Sequence, residues 1–408
     1  MKRRLLLVHD DTAAVSTAIR SIVRKDVDLY LVSGMDGAVE LPPDRRMVVD
    51  TSDRSALASA VREFGVGFQA IGTFTESCVI RTAELASDLG LPGPSVEAMA
   101  RTSADKFAMR TALAAGGLSR PRFRILDQLS EKTLGAAVDE LGTVVLKPAA
   151  GESSIGVRKV LPGDDLGGVV MPAVRAAVAA ARHAMVHIDA TRWVAEEYVP
   201  GPMVSVDGFV VDHAPTIVGI VENELSAEPY FTPQANWLPT RLSRDRENAC
   251  RTVALEALRV LGLDRCAFHC ELRFGPDGPV LIEVAGRLPG GQLPAAYERS
   301  LGIDLIAAQV DLWIGDKPDL MPQSRIQIYQ KGVFPKRAGI IRSVSGFEEA
   351  CVMPGVWQFI GIARAGEPVV THPAIPVPYF YYAVEALHAD EVMHLAERLE
   401  SLVEVQLA

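Results

Sequence analysis

The sequence predicts a mixed fold, α/β at its start and α+β beyond, with an N-terminal parallel sheet and a small α+β region at the C-terminus. Three observations predict it. In residues 1–100, short apolar runs at Leu5–Val8, Leu29–Val32, Met47–Val49 and Phe68–Ile71 alternate with helical patterns at Ala13–Val23 and Arg54–Phe64. Strands separated by helices pair in parallel through crossovers. Further on, apolar runs follow one another through tight turns, which is the antiparallel pattern. Finally, 408 residues with 49% apolar and 23% charged side chains suffice for more than one buried core.

Taken in order, LPGPSVEAMA (Leu91–Ala100) is a proline- and glycine-punctuated link that closes a first unit. A helix over Asp105–Ala115 stops at Gly116-Gly117. Strand Val144–Lys147 runs into the loop AAGESSIGV, and a packed helix covers Ala173–Ala184. Trp193–Val199, Met203–Val211 and Thr216–Val221 read as antiparallel neighbours joined at Gly201-Pro202 and Asp212–Pro215. After a helix at Arg244–Leu261, strands Cys266–Phe274 and Val280–Val284 form a hairpin around Gly275-Pro276-Asp277-Gly278. Beyond Lys317-Pro318 a last region ends in a helix at Ala389–Val403. The expected units are 1–100, 101–190, 191–315 and 316–408.

A net charge of −10 argues against bulk electrostatic binding to nucleic acid or an anionic membrane. No run of 18 apolar residues spans a bilayer, and the apolar stretch in MKRRLLLVHDD is too short for a signal peptide. Cys266 and Cys270 flank His269 without a second ligand pair, so buried thiols in a reducing cytoplasm are expected rather than zinc. The first βα turn, HDDTAAV, lacks the glycines of a dinucleotide site. GTFTES, from Gly72, sits where a ligand could bind at a strand's carboxyl end, or where Thr75 or Ser77 caps a helix.

The chemistry concentrates in three stretches. Alternation along the hairpin puts His269, Glu271 and Arg273 on one face, with Glu283 on the next strand and Arg287 four residues later in IEVAGRLPGG. Two adjacent carboxylates repel unless a cation lies between them, and Mg²⁺ uses such oxygen ligands when it also holds phosphates. In VVLKPAAGESSIGV an apolar strand ends in Lys147, and Gly151, Ser153, Ser154 and Gly156 let backbone N–H groups approach an anion. WVAEEYVPG offers a strand whose backbone could read an adenine, or an edge strand carrying Glu196 and Glu197 as solvated charges.

In this order the three stretches resemble the ATP-grasp superfamily over roughly residues 1–310, beginning with GTFTESCVIRTAELASDLGLPGPSVEAM…DKFAMR. The resemblance implies the ATP-grasp fold, with a pre-ATP-grasp domain first. It implies ATP and Mg²⁺ (or Mn²⁺) as cofactors, with Lys106 and Lys147 on the phosphates and Gly151–Gly156 as a mobile flap. Glu196 would accept from the adenine amino group, with Glu197 and Val199 giving backbone contacts. Glu271 and Glu283 would hold the metal, and Arg287 would stabilise the phosphoryl groups or the tetrahedral intermediate.

EVAGRLPGGQLPAAYERSLGIDL is similar to the L-amino-acid ligase branch, where the glycine pair, here Gly290 and Gly291, borders the amino-acid site. Two positions depart from the family. Ala285 stands where an Asn metal ligand is usual, and Met203 where an acid usually holds the ribose, with Asp207 as a possible substitute.

The expected activity is therefore ATP-dependent joining of an amino acid or related carboxylate to an amine, through an acyl phosphate. His269 is the candidate base or a substrate-positioning group. Tyr230, Phe231 and Trp237 are expected to wall the substrate pocket, with Glu222 or Glu224 gripping an ammonium; the alternative is a surface loop with its aromatics tucked beneath. Small-molecule partners are expected, with a homodimer among the expected assemblies. Rival readings are an ATP-grasp enzyme with another acceptor (a carrier-protein thiol, bicarbonate or a purine precursor), a non-catalytic ATP-binding regulator, and a dehydrogenase.

Overall fold

The computed structural model describes residues 2–408 except 11–17, 20, 23, 37–38, 152–153, 184–187 and 375. The helix expected at Ala13–Val23 and the candidate Ser153 thus fall wholly or largely outside the described residues.

Strands β1 (Arg3–His9), β2 (Val27–Ser33), β3 (Arg46–Val48) and β4 (Ala70–Gly72) form a parallel sheet in the order β3-β2-β1-β4. Leu5, Leu6, Leu7 and Val8 are all fully buried because both faces are covered, as a parallel sheet requires. Alternation sends Leu5 and Leu7 towards Val310 and Trp313 on one side, and Leu6 and Val8 towards Leu57 and Leu85 on the other. The latter side is packed by helices α1 (Arg54–Glu63) and α2 (Val79–Asp88). Helix α3 (Lys106–Ala115), capped by Asp105, then leads onward.

A second, four-stranded sheet has the order β5-β8-β6-β7, built from β5 (Phe123–Leu126), β6 (Val144–Gly151), β7 (Arg158–Val160) and β8 (Ile188–Glu197). Helices α4 (Glu131–Leu141) and α5 (Met171–His183) cover one face. Here one expectation is corrected. The strand ending at Glu197 pairs with β5 and β6 and not with the strand that follows it. Alternation cannot specify a neighbour, and Gly201-Pro202, read as the turn between antiparallel neighbours, leads instead from one sheet to another.

The largest sheet is eight-stranded, in the order β13-β12-β9-β10-β11-β14-β18-β16. Its strands are β9 (Met203–Val211), β10 (Ala214–Leu225), β11 (Pro233–Leu238), β12 (Cys266–Gly275), β13 (Gly278–Ala285), β14 (Gln327–Val333), β16 (Val356–Gly361) and β18 (Phe380–Ala386). The C-terminal strands join it through the β11–β14 pairing, so the sheet runs unbroken across residue 316. Between β14 and the C-terminus, β15 (Gly339–Ser345), β17 (Pro368–Val369) and β19 (Glu404–Leu407) make a small sheet. Helices α6 (Arg244–Leu261), α7 (Leu293–Leu301), α8 (Leu305–Ile314) and α9 (Ala389–Leu402) pack on these sheets.

Gly72, at the end of β4, is where the N-terminal sheet meets α8. A Cβ there would lie 2.1 Å from the Trp313 ring, a contact no relaxed structure accommodates. Gly72→Ala is expected to cost about 1–3 kcal/mol of unfolding free energy, as overpacking does. Urea unfolding checks it, and an unchanged midpoint means that Trp313 yields freely.

Candidate active site

The β12–β13 hairpin builds the centre of the site. Cys266, Phe268, Cys270, Leu272 and Phe274 face a core that α6 covers, which turns His269, Glu271 and Arg273 to the opposite face. The pairing register sets Glu271 directly against Glu283 and His269 against Ala285. Burial and the facing Glu271 push the Glu283 carboxyl up, against the pull of Lys106. Burial also opposes charge on Glu271, but His269 outweighs it and holds that carboxyl below its usual range. Their side chains remain 31% and 23% exposed, respectively, so both can be reached.

This pair suits a divalent cation. One of its two carboxylates resists ionisation beside the other, and a cation between them removes that opposition. No cluster of three or more His, Cys, Asp or Glu side chains that could hold a metal forms among the described residues. Two carboxylates are what an ion needs when phosphate oxygens and water complete its shell. Cys266 and Cys270 are both fully buried, and burial pushes the Cys266 thiol up to about 12. Cys351, by contrast, is exposed, so the expectation of buried thiols fails there.

Two lysines approach from the smaller sheet's side. Lys106, at the start of α3, donates to the Gly151 carbonyl at 3.0 Å and lies 3.6 Å from Glu283, tying the end of β6 to the hairpin. Lys147 is buried against Glu196 at 2.8 Å, and burial holds its ammonium below its usual range despite that partner. Gly151 and Gly156 have φ of 154° and 74°, and Ser154 also has positive φ at 56°. Glycine carries such backbone at little steric cost, whereas the serine is strained there.

The carboxylate expected to meet the adenine amino group is directed elsewhere. Glu196 is 2% exposed and accepts from Arg110 Nε at 2.7 Å as well as from Lys147. Arg110 also donates to the carbonyls of Leu281 and Ile282, so it fastens α3 to both sheets. That side chain is thus not free for a nucleotide, and the Glu196 backbone lies between β5 and β6 inside the sheet. Glu197 lies 3.8 Å from Arg120 and 3.6 Å from Arg122, and Val199 is buried. Sequence reading missed Arg110, although it stands one helical turn after Lys106 on the same face. Arg110→Met leaves Glu196 short of its strongest partner and two carbonyls unpaired. We expect a loss of about 3–5 kcal/mol, typical of a broken buried pair, measured by denaturant unfolding. A loss below about 1 kcal/mol means that Lys147 alone compensates Glu196.

Arg287 pairs with Glu76 from the N-terminal region, Nε to Oε2 at 2.6 Å, and its Nη1 donates to the Leu288 carbonyl at 2.8 Å. Glu76 also accepts from Ser103 at 2.6 Å. The GTFTES turn therefore supplies an orienting carboxylate, which sequence reading missed. Neither Thr75 nor Ser77 caps the following helix; the Ser77 hydroxyl bonds Asp10 instead. Beyond Arg287, the space above Gly290 and Gly291 is open, with nothing within 4 Å of a built Cβ on either.

Four further expectations change. His269 Nδ1 lies 2.5 Å from Asp207 and Nε2 3.5 Å from Glu271. Burial disfavours its charge, but the two acids prevail and push it up to about 10. With both nitrogens committed as donors, it is poorly suited to accept a proton from an amine and well placed to orient Glu271. Asp207 is fully buried and also accepts from Tyr297 at 2.7 Å, so it does not replace the ribose acid missing at Met203. Trp237 is 1% exposed in a core with Tyr329 and Tyr382, so it does not wall a pocket. The Glu222 carboxylate is held by Arg241 at 2.9 Å and by Thr240, and Glu224 accepts from Tyr329. Neither is available as an unengaged grip for an ammonium. Tyr230 does line a cleft, described below.

Comparison with known proteins bears on the family and the fold. Residues 142–295 match the ATP-grasp domain. A D-alanine–D-alanine ligase of Cupriavidus metallidurans (strain ATCC 43123 / DSM 2839 / NBRC 102507 / CH34) is 30% identical over 56% of this chain and 71% of its own length. The chain belongs to the ATP-grasp family. Uncharacterized protein y4rH of Sinorhizobium fredii is 27% identical over 91% of this ATP-grasp chain and 76% of that protein. Alanine–anticapsin ligase of Bacillus subtilis is 26% identical, over 62% of the chain, which spans only 56% of that relative. The solved L-amino acid ligase from Bacillus licheniformis superposes with a TM-score of 0.81 at 18% identity, covering 100% of this chain and 99% of that one. At that identity the likeness concerns the ATP-grasp fold.

Proposed function

We propose that this ATP-grasp ligase activates the carboxylate of an amino acid or related acid as an acyl phosphate and joins it to an amine, releasing ADP and phosphate. The observation that carries the reading is the meeting of Glu271, Glu283 and Lys106 at one end of the hairpin, with Lys106 also touching Gly151. Names among the relatives, D-alanine–D-alanine ligase and alanine–anticapsin ligase, support the substrate class.

Glu271 and Glu283 are the residues to hold Mg²⁺ or Mn²⁺, which when bound supplies positive charge to the phosphate oxygens. Lys106, Lys147 and the backbone of Gly151, Ser154 and Gly156 bind and orient the triphosphate of ATP. The substrate carboxylate attacks the γ-phosphorus, and the protein contributes positioning and charge. Arg287, aimed by Glu76, steadies the oxygens that gain charge in this step and again when the amine attacks the carbonyl carbon. Phosphate leaves as the amide forms. Gly290 and Gly291 leave room for the amino acid beside Arg287.

We propose the division 1–100, 101–190, 191–315 and 316–408 for its functional units. A cytoplasmic setting is our reading of four buried cysteines with no disulfide among the described residues. No helix among the described residues is long and apolar enough to cross a membrane.

The test is phosphate release from ATP with panels of amino acids, supplied singly and in pairs, and with amines, thiols and bicarbonate. Release that needs a carboxylate and an amine together, with an amide product by mass spectrometry, supports the proposal. Release driven by thiols or bicarbonate assigns a different acceptor. Nucleotide binding without release under any panel makes the chain a regulator.

A further inference from the structure

Four Lys or Arg residues are buried among the described residues: Lys106, Arg110, Lys147 and Arg158. The first three each have a carboxylate partner. Arg158, at the start of β7 and 9% exposed, forms no ion pair among the described residues, and its Nε has no hydrogen-bonding partner there. Its Nη1 donates to the Tyr230 hydroxyl at 2.8 Å and the guanidinium lies 5.2 Å from the centre of that ring, neutral partners that attract the charge without cancelling it. Burying a guanidinium without an acid costs several kcal/mol, so an anion is what this position lacks.

The surroundings define what else the anion must carry. Arg158 lines a cleft open to solvent, between the described part of the β6–β7 turn (Ser154–Val157), α5, the β10–β11 loop and the turn at His372. Its apolar walls include Ile155, Val157, Val174, Ala177, Pro373 and Ala374. Tyr230 stacks on His372 with ring centroids 4.0 Å apart and planes 10° from parallel, and Thr232 Oγ1 fixes His372 Nε2 at 3.0 Å. A flat aromatic platform beside one cation suits a ligand with an apolar body and one acidic end.

The cleft shares Ser154 and Gly156 with the proposed phosphate-binding segment but opens on the other face of the sheet. Arg158 pairs with Leu146, whose side chain lies in the core under α4 and α5, whereas the adjacent Lys147 faces the other way.

We propose that this cleft binds a small organic carboxylate with an apolar body, its carboxylate on Arg158 and its body against the Tyr230–His372 pair, bridging β7 to the turn at His372. The site does not depend on the ligase reading. Its ligand comes either from free amino acids or from simple carboxylic acids.

Titration calorimetry on the full chain tests this, with 4-methylpentanoate as probe and its amide and inorganic phosphate as controls. The acid is expected to bind saturably, and neither the amide nor phosphate to match it. Arg158→Gln is expected to weaken binding about tenfold or more, the worth of a hydrogen bond to a charged group. His372→Ala, a half-buried change, serves if Arg158→Gln does not fold, and is expected to weaken binding severalfold. Glu283→Gln should retain it. Competition by L-leucine assigns the site to amino acids, and its absence assigns it to simple acids. No saturable binding, wild-type affinity in Arg158→Gln or His372→Ala, amide binding equal to the acid, or loss in Glu283→Gln each overturns the proposal.

Discussion

Glu283→Gln lowers Mg²⁺-dependent ADP formation by about a thousandfold while leaving the metal-free protein at least as stable as wild type. The two halves of this expectation have one cause. Glu283 faces Glu271 across the hairpin, and burial with that like charge already pushes its carboxyl up despite Lys106 at 3.6 Å. A neutral amide removes the repulsion, so stability does not fall. On the proposed metal site it also removes a ligand for the ion whose charge offsets that of the phosphates, an effect worth several kcal/mol, or about three decades in rate. Thermal unfolding in EDTA and ADP release in Mg²⁺ are measured on the same preparation. Turnover within tenfold of wild type would remove Glu283 from the metal site. A large drop in melting temperature would instead make the carboxylate a structural partner of Lys106.

Arg287→Lys is expected to retain nucleotide binding and lose about a hundredfold in product formation, as loss of one donor to a developing oxyanion does. A lysine keeps the charge but not the planar fork, and here one guanidinium nitrogen donates to the Leu288 carbonyl while another lies 2.6 Å from the Glu76 carboxylate. The arginine is thus held in one pose before any substrate arrives, and a flexible ammonium is not. Glu76→Gln supplies the complementary measurement: the guanidinium stays, its orientation weakens, and turnover falls by a smaller factor. A purely structural arginine gives the reverse pattern, with melting lowered and single-turnover kinetics of the folded fraction untouched. That result would move the phosphoryl site away from the IEVAGRLPGG segment.

Much of this molecule was legible before its fold. The parallel N-terminal sheet followed from apolar runs separated by helices, and α6 was read from residue 244 to residue 261, as found. That the hairpin brings Glu271 and Glu283 near each other followed from its four-residue turn, but the turn's register alone would set Glu271 against Ile282, and a β-bulge at Glu271–Leu272 puts the two acids directly opposite. Lys106, Lys147 and Arg287 were named as candidates from motif alone.

What stayed hidden was every partner chosen across long sequence separation. That Glu196 turns inward to Arg110, 86 residues away, cannot be read from a strand that alternates equally well either way round. That Glu76 orients Arg287 requires the N-terminal sheet to dock beside the hairpin, which the fit of Trp313 on Gly72 accompanies. Trp237 looked like a pocket wall because an aromatic in a loop-rich stretch is ambiguous, and its burial came from the C-terminal strands that extend the large sheet. Residue type and local period fix which groups are present and which face they take. Which charges are cancelled, and which one, at Arg158, is left without an acid among the described residues, is decided only when distant segments bury the same space, because desolvation belongs to the packed surroundings and not to the residue.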